Sequence, residues 1–428
     1  MNRFTQRALV PSALVLALFG ATGLSAQAAT LKIACSGLGQ ELELCKGAAE
    51  AWGKKTGNTV EVVSTPNDGS ERLALFQQVL SSGSDKIDVF QVDVAQVGLL
   101  ANQLLDLKPF SKGVEKGHFP GMVSNSTVGG KLVAMPWFID AGLLYYRKDL
   151  LEKYKQDLPQ TWDQLKAVAE KIQDGERKAG NDKMWGYVWQ GRAYEGLTCN
   201  GLEWLSSYGG GTIVADDGKV TIGNPNAVKA FTEMASFVGT ISPTAVLNYA
   251  EEESRGPFQN GNAVFMRNWP YAWAASQAAD SPIKDKVGVA VLPKGTGAEA
   301  RNAAALGGQE LAVSKHSKNA NLAADLVLYM TSAEVQKDRA IKASYNPTIQ
   351  DLYKDADIRK ANPFMGSLQR TFSAAVARPT SATGAKYNQV SSEFYNTVHE
   401  ILSKSAKPDE AVSKLNTKLN QLSHGGKW

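Results

Sequence analysis

Apolar and polar positions change period in a regular order along the first third of the chain. Leu31-Lys32-Ile33-Ala34-Cys35 reads as a short strand and Ser36-Gly37-Leu38-Gly39 as a turn. Glu41 to Lys55 then carries apolar residues at helical spacing and stops before Gly57. The cycle repeats with a strand at Thr59 to Ser64, a helix at Glu71 to Leu80, a strand at Ile87 to Val92 and a helix at Val94 to Ala101. This strand–helix alternation predicts a parallel sheet with helices on both faces. Ligands of such sheets bind at the carboxyl ends of strands. Gly37 to Glu41, Thr65 to Arg72 and Asp93 fall there.

The rhythm then breaks. Lys131 to Asp140 runs from a strand through Pro136 into Trp137, Phe138 and an acid, and Leu143-Leu144-Tyr145-Tyr146 is a further strand. A helix is expected at Lys148 to Tyr154. A longer helix opens after Pro159, where Thr161 and Gln164 have capping-box spacing. A second domain is expected to begin near Asp140. Later signals are a strand at Val287 to Leu292, a loop at Leu306 to Ser314 feeding another strand, and helices at Ala320 to Met330, Tyr387 to Leu402 and Glu410 to Leu422. No low-complexity linker separates these parts, so short crossing segments are expected between two domains.

The extreme N-terminus follows different rules. Arg3 and Arg7 precede an apolar run from Ala8 to Gly23, and Ala26-Gln27-Ala28 is a small-x-small cleavage site. Cleavage after Ala28 leaves 400 of the 428 residues and lowers the formal net charge from +4 to +2, since two arginines and no acid are lost. The run is too short and wrongly flanked for a permanent anchor, so an exported, soluble protein is expected. The charge balance makes no electrostatic case for nucleic acid or an anionic membrane. An oxidising compartment permits one bridge, with Cys35–Cys45 the nearest pair, but Cys35 reads as a strand end and Cys45 as helical, which favours buried free thiols, with Cys199 a third.

Known catalytic and cofactor motifs are missing. There is no G-x-S-x-G, H-E-x-x-H, phosphate-binding or dinucleotide-binding glycine motif, and the four histidines lack ligand spacing. Asp216-Asp217-Gly218 reads as a hairpin turn. What the chain carries instead is a theme of rings, acids and amides. Arg267-Asn268-Trp269-Pro270-Tyr271-Ala272-Trp273 reads as a rigid loop displaying flat rings, because its proline donates no backbone bond. Trp137 and Phe138, read as exposed rings, stand beside Asp140, and Trp189 to Gly196 repeats the pattern. Arg378-Pro379 offers a guanidinium fork for vicinal hydroxyls or a carboxylate. Asp93 either caps the following helix or accepts from a ligand hydroxyl, and one carboxylate can do both. Glu41 and Glu43 also fit as acids complementing a helix dipole.

Taken in order, these segments resemble the trehalose/maltose-binding branch of the extracellular solute-binding proteins of ABC sugar importers. The stretches that carry the likeness are Asp88 to Ala95, Asp140 to Leu151, Trp189 to Leu197, Arg267 to Trp273, Leu306-Gly307-Gly308 and Arg378-Pro379. The resemblance implies an α/β, two-lobed periplasmic-binding-protein-like fold, each lobe a sheet flanked by helices, with a multi-segment hinge. Lobe one would hold 29–137 and 304–342, and lobe two 138–303 and 343–428. It further implies ligand contacts from Glu41, Arg72, Asp93, Phe138, Asp140, Trp269, Tyr271, Gly307, Gly308, Gln309 and Arg378, with Asp93 and Asp140 on opposite sides of the cleft. Phe138 lacks the hydroxyl of a tyrosine that close relatives carry, and Gln309 stands where they can place a tryptophan. The implied function is a periplasmic, monomeric receptor with no cofactor or metal. It would deliver an oligosaccharide, a glucose disaccharide such as trehalose or maltose, to an ABC permease in the inner membrane. Two alternatives stand beside it: a secreted glycoside hydrolase using two of the carboxylates, and a receptor for a charged solute such as a glycerophosphodiester or sulfonated sugar.

Overall fold

The computed structural model describes Met1, residues 28–366, Leu368, Thr371 and residues 375–428. The expected export signal therefore lies outside the described residues, apart from its two ends. Two mixed sheets organise the rest. The first has the order β2-β1-β3-β11-β6, from strands β1 (Thr30–Ser36), β2 (Thr59–Thr65), β3 (Val89–Asp93), β6 (Met135–Ala141) and β11 (Leu306–Val313). The second has the order β10-β7-β9-β8, from β7 (Leu143–Arg147), β8 (Trp185–Val188), β9 (Ala263–Asn268) and β10 (Val287–Ala290). A small ribbon, β4 (Thr127–Val128) with β5 (Lys131–Leu132), stands apart.

The three N-terminal strands are parallel, as the sequence rhythm predicts, with helix α1 (Glu41–Thr56) joining β1 to β2 and α2 (Gly69–Ser81) joining β2 to β3. The first sheet is not parallel throughout, because β11 returns antiparallel to both β3 and β6. β1 sends its chain one way to β2 while β3 lies on its other side. The carboxyl ends of β1 and β3 thus form a topological switch point, where a crevice opens. Leu306 to Val313 is strand throughout, with a bulge between Gln309 and Glu310, and not the expected loop. The helix expected at Val94 to Ala101 is shorter, Val97–Leu100, because Asp93 first makes a turn by accepting from the Ala95 amide at 2.8 Å.

Each sheet has its own core. Leu31, Ile33, Val89, Leu311, Val313 and helix α6 (Ala320–Met330) pack on one face of the first, and Phe76, Phe90 and Leu100 on the other. The second core is aromatic. Trp162 and Trp204 stack at 4.0 Å and 15°, with Phe237 edge-on, where helix α3 (Trp162–Lys178) meets α4 (Glu195–Ser207). The Thr161/Gln164 capping box opens α3 as its spacing predicts. C-terminal helices α8 (Tyr387–Leu402) and α9 (Pro408–Leu422) cover this core through Val390, Phe394, Leu415 and Leu419. Ala215 donates to the Lys219 carbonyl around Asp216-Asp217-Gly218, the expected hairpin turn.

Cys35 and Cys45 are bonded, contrary to the free-thiol expectation, with Cα atoms 6.6 Å apart. The tight turn after β1 starts α1 at once, so the helix folds back and its second turn covers the strand end. Cys199 is free and buried. Among the described residues no helix is long and apolar enough to cross a membrane, and no cluster of His, Cys, Asp and Glu is placed to hold a metal.

Candidate functional site

A cavity of about 650 Å³, mouth included, lies where the carboxyl ends of β1 and β3 meet the ends of β6, β9 and β11. All eleven residues singled out from the sequence line it: Glu41 and Arg72 from the first turns of α1 and α2, Asp93 from β3, Phe138 and Asp140 from β6, Trp269 and Tyr271 after β9, Gly307, Gly308 and Gln309 from β11, and Arg378. Asp93 and Asp140 do not face each other across the cavity. They lie on the same sheet, one strand apart, with β11 between them: Gln309 is level with Asp93 and Gly307 with Asp140.

Both β11 glycines are needed by shape. A Cβ on Gly307 would stand 3.0 Å from the Trp269 ring, so glycine lets the indole lie against the strand. Gly308 adopts φ +134°, and a Cβ there would fall 2.4 Å from the Phe138 carbonyl oxygen. Residues 267–273 are not one loop. Arg267 and Asn268 finish β9, a turn carries Trp269 to Tyr271, and a short helix, Ala272–Ser276, follows. Arg267 is buried under the Trp269 ring at 3.9 Å and is held there by Glu203 and Gln190. The Trp269 indole N–H donates to Glu251 at 3.3 Å, and the Tyr271 hydroxyl donates to Glu252 at 2.8 Å. The ring is thus fixed on a guanidinium support. Trp137 and Phe138, expected to be exposed, are both buried because β6 is covered on both faces. Phe138 borders the cavity, while Trp137 turns into the core.

The carboxyls divide into two classes. Asp93 is ion-paired with Arg378 at 2.7 Å and also receives the Gln309 amide at 3.3 Å. Glu195 takes the other arm of the Arg378 fork at 2.8 Å, and accepts from Tyr387 and from Ser391. The Arg378 fork is therefore engaged by two protein carboxylates. Glu41 and Asp140 are different. Burial pushes Glu41 up to about 7, against the pull of Arg339 and Arg72 and hydrogen bonds from Ser36 and Gln91. Burial pushes Asp140 up to about 8, and the neighbouring Glu41 adds to it. Glu41 is no surface dipole complement; it is buried, whereas Glu43 is exposed and pairs with Lys46.

Four fully buried side-chain atoms of cavity residues have no hydrogen-bond partner among the described residues: Asp140 Oδ1 and Gln309 Oε1, which accept, and Arg72 Nε and Arg378 Nε, which donate. Sequence reasoning missed Tyr194, Glu195, Glu251 and Tyr345 as lining residues. The first two lay inside the Trp189 to Gly196 segment. Trp189 itself is core, donating to Ser242. Glu251 begins helix α5 (Glu251–Gln259) like any acid of a first turn, and nothing near Tyr345 marks it in the sequence.

Comparison with known proteins agrees with this geometry. The family described as "Bacterial extracellular solute-binding protein" matches residues 41–337. A Deinococcus radiodurans protein named "Probable ABC transporter-binding protein" is 52% identical over 403 residues, covering 94% of this chain and 95% of its own. The solved structure of maltose-bound T. maritima MalE3 superposes with a TM-score of 0.87 at 40% identity, over 92% of this chain and 100% of that one. The GacH receptor of Streptomyces glaucescens shares the fold, with a TM-score of 0.79 at 24% identity over 92% and 98% of the two chains. The chain belongs to the bacterial extracellular solute-binding protein family, whose two-lobed members bind solutes for ABC transporters and are not enzymes.

Proposed function

We propose that the protein is a periplasmic receptor for a neutral oligosaccharide, a glucose disaccharide such as maltose or trehalose, which it hands intact to an ABC permease. The eleven lining residues named above are proposed as its contacts, and export would follow removal of residues 1–28. The lobes would divide near the expected 29–137 with 304–342 and 138–303 with 343–428, but the first boundary moves to the β6–β7 junction because β6 (Met135–Ala141) lies wholly in the first sheet; further crossings fall between β10 and β11 and after residue 342. One observation carries the reading. The buried unpartnered atoms of the cavity residues include both acceptors, on Asp140 and Gln309, and donors, on Arg72 and Arg378, and the same cavity is lined by the rings of Phe138, Trp269 and Tyr271. A sugar hydroxyl both donates and accepts, and a pyranose ring has an apolar face; few other ligand classes match both.

The maltose in T. maritima MalE3 supports the same class. A charged solute fits less well. Arg378 is already paired with two carboxylates, and the cavity wall carries more acids (Glu41, Asp93, Asp140, Glu195 and Glu251) than arginines (Arg72 and Arg378). The test is a thermal-shift panel of mono-, di- and trisaccharides with glycerophosphodiesters and sulfonated sugars. A disaccharide at a hundred times its Kd should stabilise the protein by about 2.7 kcal/mol. A shift with the anionic solutes alone would reject the proposal. Release of glucose from maltose or trehalose, abolished by Asp140→Ala, would replace it with the hydrolase.

A further inference from the structure

Arg339 lies one layer behind the cavity wall, on helix α7 (Ala333–Ala343), and is 1% exposed. None of its three guanidinium nitrogens has a hydrogen-bond partner among the described residues. Its guanidinium carbon sits 3.7 Å from the centre of the Trp137 ring, 4.6 Å from Tyr345 and 5.2 Å from Phe138. Glu41 Oε1 is 3.9 Å away, near but beyond hydrogen-bond reach. Phe138, Tyr345, Glu41 and Asp140 all border the cavity, and Arg339 does not.

A buried guanidinium with no acceptor is costly, and an apolar side chain of similar volume is often at least as stable in such a place. Packing alone therefore gives no reason for arginine here. What methionine or leucine could not supply is a fixed positive charge against three ring faces and two carboxyls. Arg339 is also the strongest cation acting on both carboxyls. Glu41 faces Arg339 from α7 and Arg72 from α2, while Asp140 faces Glu41, Arg339, Arg267 from β9 and Asp93 from β3. Arg339 in turn faces Glu41, Tyr345, Asp140 and Asp338, and burial lowers its own affinity for a proton.

We propose that Arg339 is a positioning residue of the binding cavity: from behind the wall it holds the Phe138 and Tyr345 rings and sets the charge of the Glu41–Asp140 pair. The inference rests on the cavity being the sugar site. Its main readouts need no ligand. The folded state holds protons on Glu41 and Asp140 that the unfolded chain has released, so apo stability falls as pH rises from about 4 until it levels off above about 7 to 8. Removing the cation raises both carboxyls further.

The experiment compares the apo melting temperature from pH 5 to 10, near-ultraviolet circular dichroism and maltose affinity for the parent, Arg339→Met and Arg339→Lys. Arg339→Met should move the midpoint of the pH-dependent decline up by about one unit. It should also change the aromatic dichroism and weaken maltose binding about tenfold. Arg339→Lys should keep the parental midpoint while altering the dichroism. An unchanged midpoint in Arg339→Met, or equal shifts in both variants, overturns the proposal. If Arg339→Met does not fold, the double variant Glu41→Gln/Arg339→Met should recover folding by removing both charges, and its failure to do so also overturns it. Normal sugar binding by Asp140→Ala would remove the cavity assignment instead, and the apo pH profile would still decide the role of Arg339.

Discussion

At the scale of single residues, the cavity couples one ring to one buried cation. Trp269 is supported by Arg267, which Glu203 and Gln190 hold independently of the ring. Trp269→Leu keeps much of the apolar volume over that guanidinium but loses the flat face. It should weaken sugar binding by about 2 kcal/mol and leave the apo protein folded. Titration calorimetry giving the parental affinity would remove Trp269 from the site. A second prediction concerns protons. Glu310 is buried beside the site, accepts from Ser126 and Asn125, and is pushed up to about 7 by burial. Its folded value lies above its unfolded one, so its contribution is complete below about pH 4.5 and is lost as pH rises through about 7. Glu310→Gln should flatten that part of the melting-temperature profile without moving the part due to Asp140. A profile that superposes on the parent's between pH 5 and 7.5 would show that Glu310 does not titrate there.

At the scale of elements, the loop Ser36 to Glu41 is the part of the cavity held most firmly by covalent means. It joins β1 to α1, contributes Ser36, Leu38 and Glu41 to the wall, and is closed by the Cys35–Cys45 bond. Closing a loop of about ten residues restricts the unfolded chain by about 2–3 kcal/mol. Cys35→Ala/Cys45→Ala should lose roughly that much in denaturant unfolding and bind sugar more weakly through a looser Glu41. Stability equal to the parent's under oxidising conditions would mean the bond adds nothing. The bond also marks where the sequence stopped being legible. Helix and strand periods located β1, α1 and the Ala320–Met330 helix, and motif likeness gathered eleven residues that do line one cavity. Side-chain period cannot report how steeply a helix folds back over its strand, so the cysteines read as apart. Nor can it tell an edge from a covered strand, so Phe138 and Trp137 read as exposed. Arg339 and Tyr345 come from a helix and a turn with no aromatic-acid theme, and only the tertiary fold brings them behind and beside Phe138.

At the scale of the whole molecule, the two sheets meet through charges as well as through the cavity. Asp68 caps α2 by accepting from the Ser70 and Glu71 amides, and its other oxygen pairs with Arg192, which follows β8 of the second sheet. Three residues on, the Glu195 amide donates to Ser70 at 3.3 Å, and Arg378 links Glu195 to Asp93 of the first sheet. One short segment of the second lobe thus grips the first at two points beside the cavity. The Arg378 bridge is buried and belongs to the site itself. The Arg192 bridge is at the rim, with the arginine side chain 36% exposed, so solvent screens it and its worth is modest. Modest is enough for a clasp, since a shift of about 1 kcal/mol changes an open–closed ratio about fivefold. Arg192→Ala spares the Asp68 cap, which Asp68→Ala would destroy along with the clasp. The variant should be more extended than the parent without ligand by small-angle scattering, and equally compact with saturating sugar. Affinity should fall by up to about tenfold, chiefly through faster release. Raising salt should move the parent toward the variant, because counterions weaken a partly solvent-exposed ion pair. Identical apo scattering curves for parent and variant at low salt would show that the Asp68–Arg192 pair does not hold the lobes together.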